Sequence, residues 1–168
     1  GDVRTKEKSV VGFGNGECHG FEEVLHHYRN EINDIMLSGG TTFHPIINTA
    51  ASIAKSEESY HILVIICDGN IDKKKNKDKT IASIIEASAA APLSIICVGV
   101  GDGPFDDMLE FDDQLPLRAF DNFQFVEFSK TWVGKTEEEK DANFAMHCLM
   151  EVPEQYLFLK DSEAHGIA

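Results

Sequence analysis

The chain has 168 residues, 42% of them apolar, and carries a formal net charge of −14. That length and composition predict one domain with its own core and exclude disorder through the bulk of the chain. The acidic balance excludes sequence-independent nucleic-acid binding and simple electrostatic docking on an anionic membrane, both of which need a basic surface.

Taken in chain order, Ser9–Phe13 is a weak strand candidate. From Phe21 to Met36, Phe21, Val24, Leu25, Tyr28, Ile32 and Ile35 recur at spacings of three and four and predict a helix. A second helix is expected over Thr42–Ser56, with Thr42 as its cap and Pro45 in its first turn, where proline is tolerated. Tyr60–Cys67 and Leu93–Val100 are short, β-branched apolar runs. Both predict interior strands buried on two faces, as in parallel sheets. Between them Thr80–Ala91 is an alanine-rich helix that stops at Pro92. Asp106–Asp113 is read as an acidic helix face with its cap. Phe123–Phe128 is a further weak strand, and Glu137–Met150 a helix whose acidic first turn suits the dipole. The fold class implied is α/β: a doubly wound, mostly parallel sheet with helices on both faces.

The four cysteines, Cys18, Cys67, Cys97 and Cys148, fit neither a zinc pattern nor a disulfide framework. Cys67 and Cys97 end apolar runs and read as small buried hydrophobes. A reducing, cytoplasmic setting is the default. The plasma-membrane periphery and the nucleus are the alternatives for the full-length protein. No segment has a signal peptide's layout, and the longest apolar run is too short to span a bilayer, so direct membrane insertion is not expected.

In an open parallel sheet, ligands bind beyond the carboxyl ends of the strands. Asp68-Gly69-Asn70 follows the first run, Gly101-Asp102-Gly103-Pro104-Phe105 the second, and Ser38-Gly39-Gly40-Thr41-Thr42 precedes a helix. Together these loops offer hard oxygen donors suited to Mg²⁺ or Ca²⁺. Each alone has an ordinary reading, since a strand ending in Asp-Gly is commonly just a turn.

Gly39-Gly40-Thr41 before a helix, Ile65–Gly69 (IICDG) and Ile95–Gly101 (IICVGVG) resemble the von Willebrand factor A domain. Gly20–Leu25 (GFEEVL), Gly99–Asp106 (GVGDGPFD), Arg118–Val126 (RAFDNFQFV) and Leu149–Tyr156 (LMEVPEQY) resemble its copine branch, especially the copine-like region of plant RING ubiquitin ligases. The resemblance covers residues 1–157 and leaves 158–168 as a tail. It implies a metal-ion-dependent adhesion site with Thr41 and Asp68 as ligands to Mg²⁺ (or Ca²⁺ or Mn²⁺). The metal's open position would take an acidic group of a protein partner, with Gly40, Thr42, Gly69, Asn70, Asp102 and Phe105 around it. Two features depart from the family. Its first metal motif, Asp-x-Ser-x-Ser, is absent, and so is the strand before it. Metal binding by this chain alone is therefore expected to be weak or absent, and a strand from upstream residues or another chain is expected to complete the sheet.

The leading function is divalent-metal-dependent protein binding without catalysis. The alternative is partner recruitment for a ubiquitin ligase whose RING lies outside this chain; four unpaired cysteines cannot build a RING. A hydrolase or nucleotide binder is the weaker third reading. Gly99-x-Gly101-x-Gly103 lacks the G-x-G-x-x-G spacing and reads as a tight turn. Lys73, Lys74, Lys75, Lys77 and Lys79 read as a solvated loop, or more sharply as a basic rim selecting acidic partners. The seven histidines are scattered and read as neither zinc ligands nor proton carriers.

Overall fold

Leu93–Gly99 (β2) is buried at every position. Such a strand needs cover on both faces and pairing on both edges. His61–Cys67 (β1) pairs along one edge and Phe123–Glu127 (β3) along the other, both parallel to it, in the order β1-β2-β3. This computed structural model describes residues 17–34, 40–115 and 117–164. The helices are Phe21–Glu31 (α1), His44–Glu57 (α2), Lys74–Ala90 (α3), Asp106–Asp113 (α4), Phe128–Thr131 (α5), Glu137–Leu149 (α6) and Val152–Ala164 (α7).

The register sorts the two faces. Leu63, Ile65 and Cys67 share one face with Leu93, Ile95 and Cys97 and with Phe123 and Phe125. Phe43 and Ile47 at α2, Ile84 and Ala87 of α3, and Met108 and Phe111 of α4 close over them as the core. On the opposite face Ser94, Ile96, Val98 and Val126 are buried as well. There Tyr60 donates to or accepts from Ser94 Oγ at 2.6 Å and meets the Tyr156 ring of α7 at 5.2 Å. Phe120 stacks on Phe158 at 5.3 Å, and α6 packs against β3. Helices therefore cover both faces, as the α/β expectation requires. Cys67 and Cys97 are buried free thiols with their sulfurs 3.6 Å apart, in keeping with small core side chains. Their mutual hydrogen bond and burial push the Cys97 thiol up.

Several expectations need correction. The bare outer edge of β1 among the described residues is the one expected where a strand is wanting, but burial of β1 on both faces is not found. Ile62, Val64 and Ile66 stand 42%, 57% and 71% exposed. The reason lies in the second helical layer, which covers β3 and β2 and meets β1 at its Tyr60 end. α1 stops at Glu31 and runs into a 3-10 turn over Ile32–Asp34. Among the described residues its apolar stripe packs on no core; Phe21 is 82% exposed. Residues 35–39 lie outside the described ones, as does the Ser9–Phe13 strand. The residue at the cap of α2 is Phe43, not Thr42, whose hydroxyl bonds His44 Nδ1 at 2.7 Å instead. α3 begins at Lys74, six residues before Thr80, because the lysine run is helical rather than a loop. Phe128 opens α5 instead of closing β3. At the other end, α7 continues past residue 157 to Ala164.

Candidate functional site at the carboxyl ends of the strands

Cys67 pairs with Gly99, so both strands end level and their following loops share one edge. Val100 N–H donates to Cys67 O at 2.8 Å and ties the two exits together. A Cβ built on Gly69 would lie 3.6 Å from Pro104 O, so the two loops touch. Gly101 and Gly103 hold φ of +82° and +73°, a conformation that side chains resist, and they turn the second loop back over the strand ends. This is the tight turn expected of that glycine run.

The third loop joins through a residue that sequence reasoning missed. Thr41 N–H donates to Asp72 Oδ2 at 3.2 Å. A Cβ at Gly40 would run into the Asp72 carboxylate, which would have to swing aside and give up this bond. Asp72 thus binds the Gly40–Thr42 loop to the loop that carries Asp68. No spacing rule marks Asp72; it shows only once the chain is folded.

The edge is not uniformly open. Asp68 and Asp102 are exposed, whereas Gly40, Thr41, Thr42, Gly69 and Asn70 are half-buried. Phe105 is buried, its ring 5.4 Å from that of Phe125. What Phe105 contributes to the edge is therefore the shape of the loop above it. Asn70 is engaged inward: its Oδ1 accepts from Asp107 N–H at 3.0 Å, and its Nδ2 donates to Asp106 Oδ2 at 3.4 Å.

Beneath the edge lies a second feature absent from the sequence reading. Asp107 accepts from Ile71 N–H at 2.9 Å and from Lys77 Nζ at 2.6 Å, and Lys77 also reaches Glu110 at 2.7 Å. The Asp107 and Glu110 carboxylates hold the Lys77 ammonium above its ordinary range. So one lysine of the run is an inward strut between α3 and α4. Lys74 and Lys75, one turn earlier, are exposed beside the edge.

The donors gathered here are hard oxygens, the right chemistry for Mg²⁺ or Ca²⁺. Among the described residues they include the Asp68, Asp72 and Asp102 carboxylates and the Thr41 and Thr42 hydroxyls. Among the described residues no three His, Cys, Asp or Glu side chains stand together as a metal-holding group. Nor is any described helix long and apolar enough to cross a membrane.

Comparison with known proteins agrees with this architecture. A model of the Copine family matches residues 2–166. The E3 ubiquitin-protein ligase RGLG2 of Arabidopsis thaliana is 44% identical over 169 residues, covering 93% of this chain and 36% of that protein. Copine family protein 2 of Caenorhabditis elegans is 48% identical over 145 residues, 86% of this chain and 2% of that protein. Copine-E of Dictyostelium discoideum is 36% identical over 154 residues, 84% of this chain and 25% of that protein. The chain thus spans little more than a third of RGLG2 and less of the other two. Matched by the family model over nearly all its length, and folded as a parallel α/β sheet whose loops meet at the strand ends, the chain belongs to the copine family.

Proposed function

We propose that this copine domain is a protein-binding module whose contact edge is the loop cluster beyond β1 and β2, and that it binds with the help of a divalent cation. The observation that carries this reading is the meeting of the three loops, with Asp68 exposed and Thr41 anchored to the same edge through Asp72. Thr41 and Asp68 are the residues that would hold Mg²⁺ (or Ca²⁺ or Mn²⁺). The cation would supply an electrophilic position for an acidic group of the partner. Gly40, Thr42, Gly69, Asn70, Asp102 and Phe105 shape or flank the contact, and Lys74 and Lys75 favour an acidic approach. On this reading the protein works in the cytoplasm, at the periphery of the plasma membrane or in the nucleus.

Mg²⁺ demands near-octahedral oxygen ligation, and a neutral hydroxyl with one or two carboxylates is a sparse set. Calorimetry of this segment alone should therefore give a Mg²⁺ dissociation constant above about 1 mM. A micromolar site would show that the donors present suffice and that no further ligands are needed.

The exposed side of β1 supports a companion proposal: a further strand pairs there, from elsewhere in the polypeptide or from a second chain. His61 N–H donates to Pro92 O, and Cys67 O accepts from Val100 N–H. Parallel pairing alternates, so the backbone groups of Ile62, Val64 and Ile66 point away from β2. An apolar strand with a bare edge recruits a partner or aggregates. In the full-length protein the amides of Ile62, Val64 and Ile66 should exchange as slowly as those of Leu63 and Ile65. Fast exchange confined to the even-numbered positions would show an edge that stays open.

A second functional reading is partner recruitment for a ubiquitin ligase with its RING elsewhere in the polypeptide. The similarity to proteins named as ligases, RGLG2 among them, favours it. Ubiquitin transfer to a protein captured by this edge, lost when the edge is mutated, would support it; transfer indifferent to the edge would remove it.

A further inference from the structure

Asp107 has no place in the binding edge itself, yet it is 9% exposed and uses both carboxylate oxygens and its own amide. Oδ2 accepts from Ile71 N–H at 2.9 Å, and Oδ1 accepts from Lys77 Nζ at 2.6 Å. Its N–H donates to Asn70 Oδ1 at 3.0 Å. Two adjacent residues of the Asp68–Asp72 loop are thereby clipped to the first turn of α4 by bonds running in opposite directions. The same loop passes its hold to Thr41 through Asp72. Lys77 neutralises the Asp107 carboxylate and, through Glu110, fastens α3 to α4 below the loop.

We propose that Asp107 is the positioning residue of the binding edge: it fixes the Asp68–Asp72 loop against α4, so that Asp68 and Thr41 present their oxygens as one preorganised unit. This rests on the reading of the strand-end edge as the binding site. A sequence of acidic residues on a helix gave no hint of it; the role follows from the two donors that approach Asp107 from different elements. It also makes a chemical demand that packing alone would not. A carboxylate accepts from both donors, whereas asparagine offers one acceptor and turns an NH₂ toward either Ile71 N–H or the Lys77 ammonium. The isosteric change can therefore keep the Ile71 bond by giving up Lys77, which still has Glu110, whereas truncation to alanine removes both.

The experiment is amide exchange at Ile71 in the full-length protein, with Ile96 of β2 as internal reference. A hydrogen bond to a charged group is strong enough that its loss should speed exchange at Ile71 about tenfold or more, while Ile96 changes little. That is the expectation for Asp107→Ala, which removes both acceptors; Asp107→Asn, whose one oxygen can still accept from Ile71 N–H, should fall between it and wild type. Glu110→Gln leaves Asp107 and its donors in place, so Ile71 should stay within about twofold of wild type. Asn70→Ala offers an independent route should Asp107→Ala fail to fold: exchange at the Asp107 amide should then rise. Unchanged Ile71 exchange in Asp107→Ala would overturn the proposal, and so would equal acceleration at Ile71 and Ile96, which would make Asp107 a global stabiliser. Mg²⁺ titrated into the wild type reports separately on the edge. A wild type indifferent to Mg²⁺ removes the metal reading, while the exchange rates still decide the role of Asp107.

Discussion

Phe111→Ala should lower the unfolding free energy by about 3–5 kcal/mol, a large share of the roughly 5–15 kcal/mol that holds a domain together. Phe111 is completely buried, and its ring meets that of Phe123 edge-on at 5.8 Å. Truncation removes its apolar burial, its aromatic contact and the filling of a site enclosed by α4, β2 and β3 at once. Neighbouring Met108 is equally buried and adaptable in shape, so part of the cavity can collapse, which places the cost toward the lower end. The control is Phe21→Ala in α1. That ring is 82% exposed, and its loss should change stability by no more than about 0.5 kcal/mol. Urea midpoints of the two variants measure both. Similar costs for Phe21 and Phe111 would mean that α1 packs on something the described residues do not include.

Legibility from the sequence followed how much of each element's fate is decided by its own residues. β2 was readable because a run of β-branched residues bounded by Pro92 and Gly101 has no other way to bury itself, and it is buried throughout. β1 was readable as a strand on the same grounds, and its bare edge was expected, but burial of its second face was not found. Its pattern is nearly identical, but pattern reports what a strand could bury, not which neighbours cover it, and Val64 and Ile66 remain exposed. α1 repeats the lesson: its stripe at helical spacing gives the helix as far as Glu31, but spacing alone does not say what the stripe packs on, and Phe21 is exposed among the described residues. The helical lysines of α3 were misread because a dense like-charge run opposes helix formation. Here Asp107 and Glu110 take up Lys77, a tertiary compensation invisible in the run itself.

The candidate edge was legible through its loops. Asp68, Gly69 and Asn70 were placed by the strand before them, and the Gly101–Phe105 turn by its glycines. What escaped was the set of side chains that ties the loops together. Asp72 and Asp107 act through single hydrogen bonds to backbone amides of other loops, Thr41 and Ile71. Such bonds depend on three-dimensional approach and leave no periodicity or motif behind. Phe105 illustrates the converse case. Its position in the loop was expected and its side chain is in the core, packed on Phe125.

Asp68→Ala should abolish Mg²⁺-dependent partner binding by the full-length protein while leaving the fold intact. Asp68 is exposed and follows the last residue of β1, so its removal neither opens a cavity nor strands a buried donor, and stability should change by no more than about 0.5 kcal/mol. Its carboxylate is the charged member of the proposed Thr41–Asp68 pair, and the Thr41 hydroxyl, even with an Asp72 carboxylate already engaged by the Thr41 amide, is too sparse a set to retain a divalent ion in water. The measurement is partner affinity in saturating Mg²⁺ and in chelator, for wild type and Asp68→Ala, with urea midpoints recorded alongside. The account predicts tight binding by the wild type in Mg²⁺, none in chelator, none by the variant under either condition, and matching midpoints. Equal affinity of variant and wild type in saturating Mg²⁺ would contradict it.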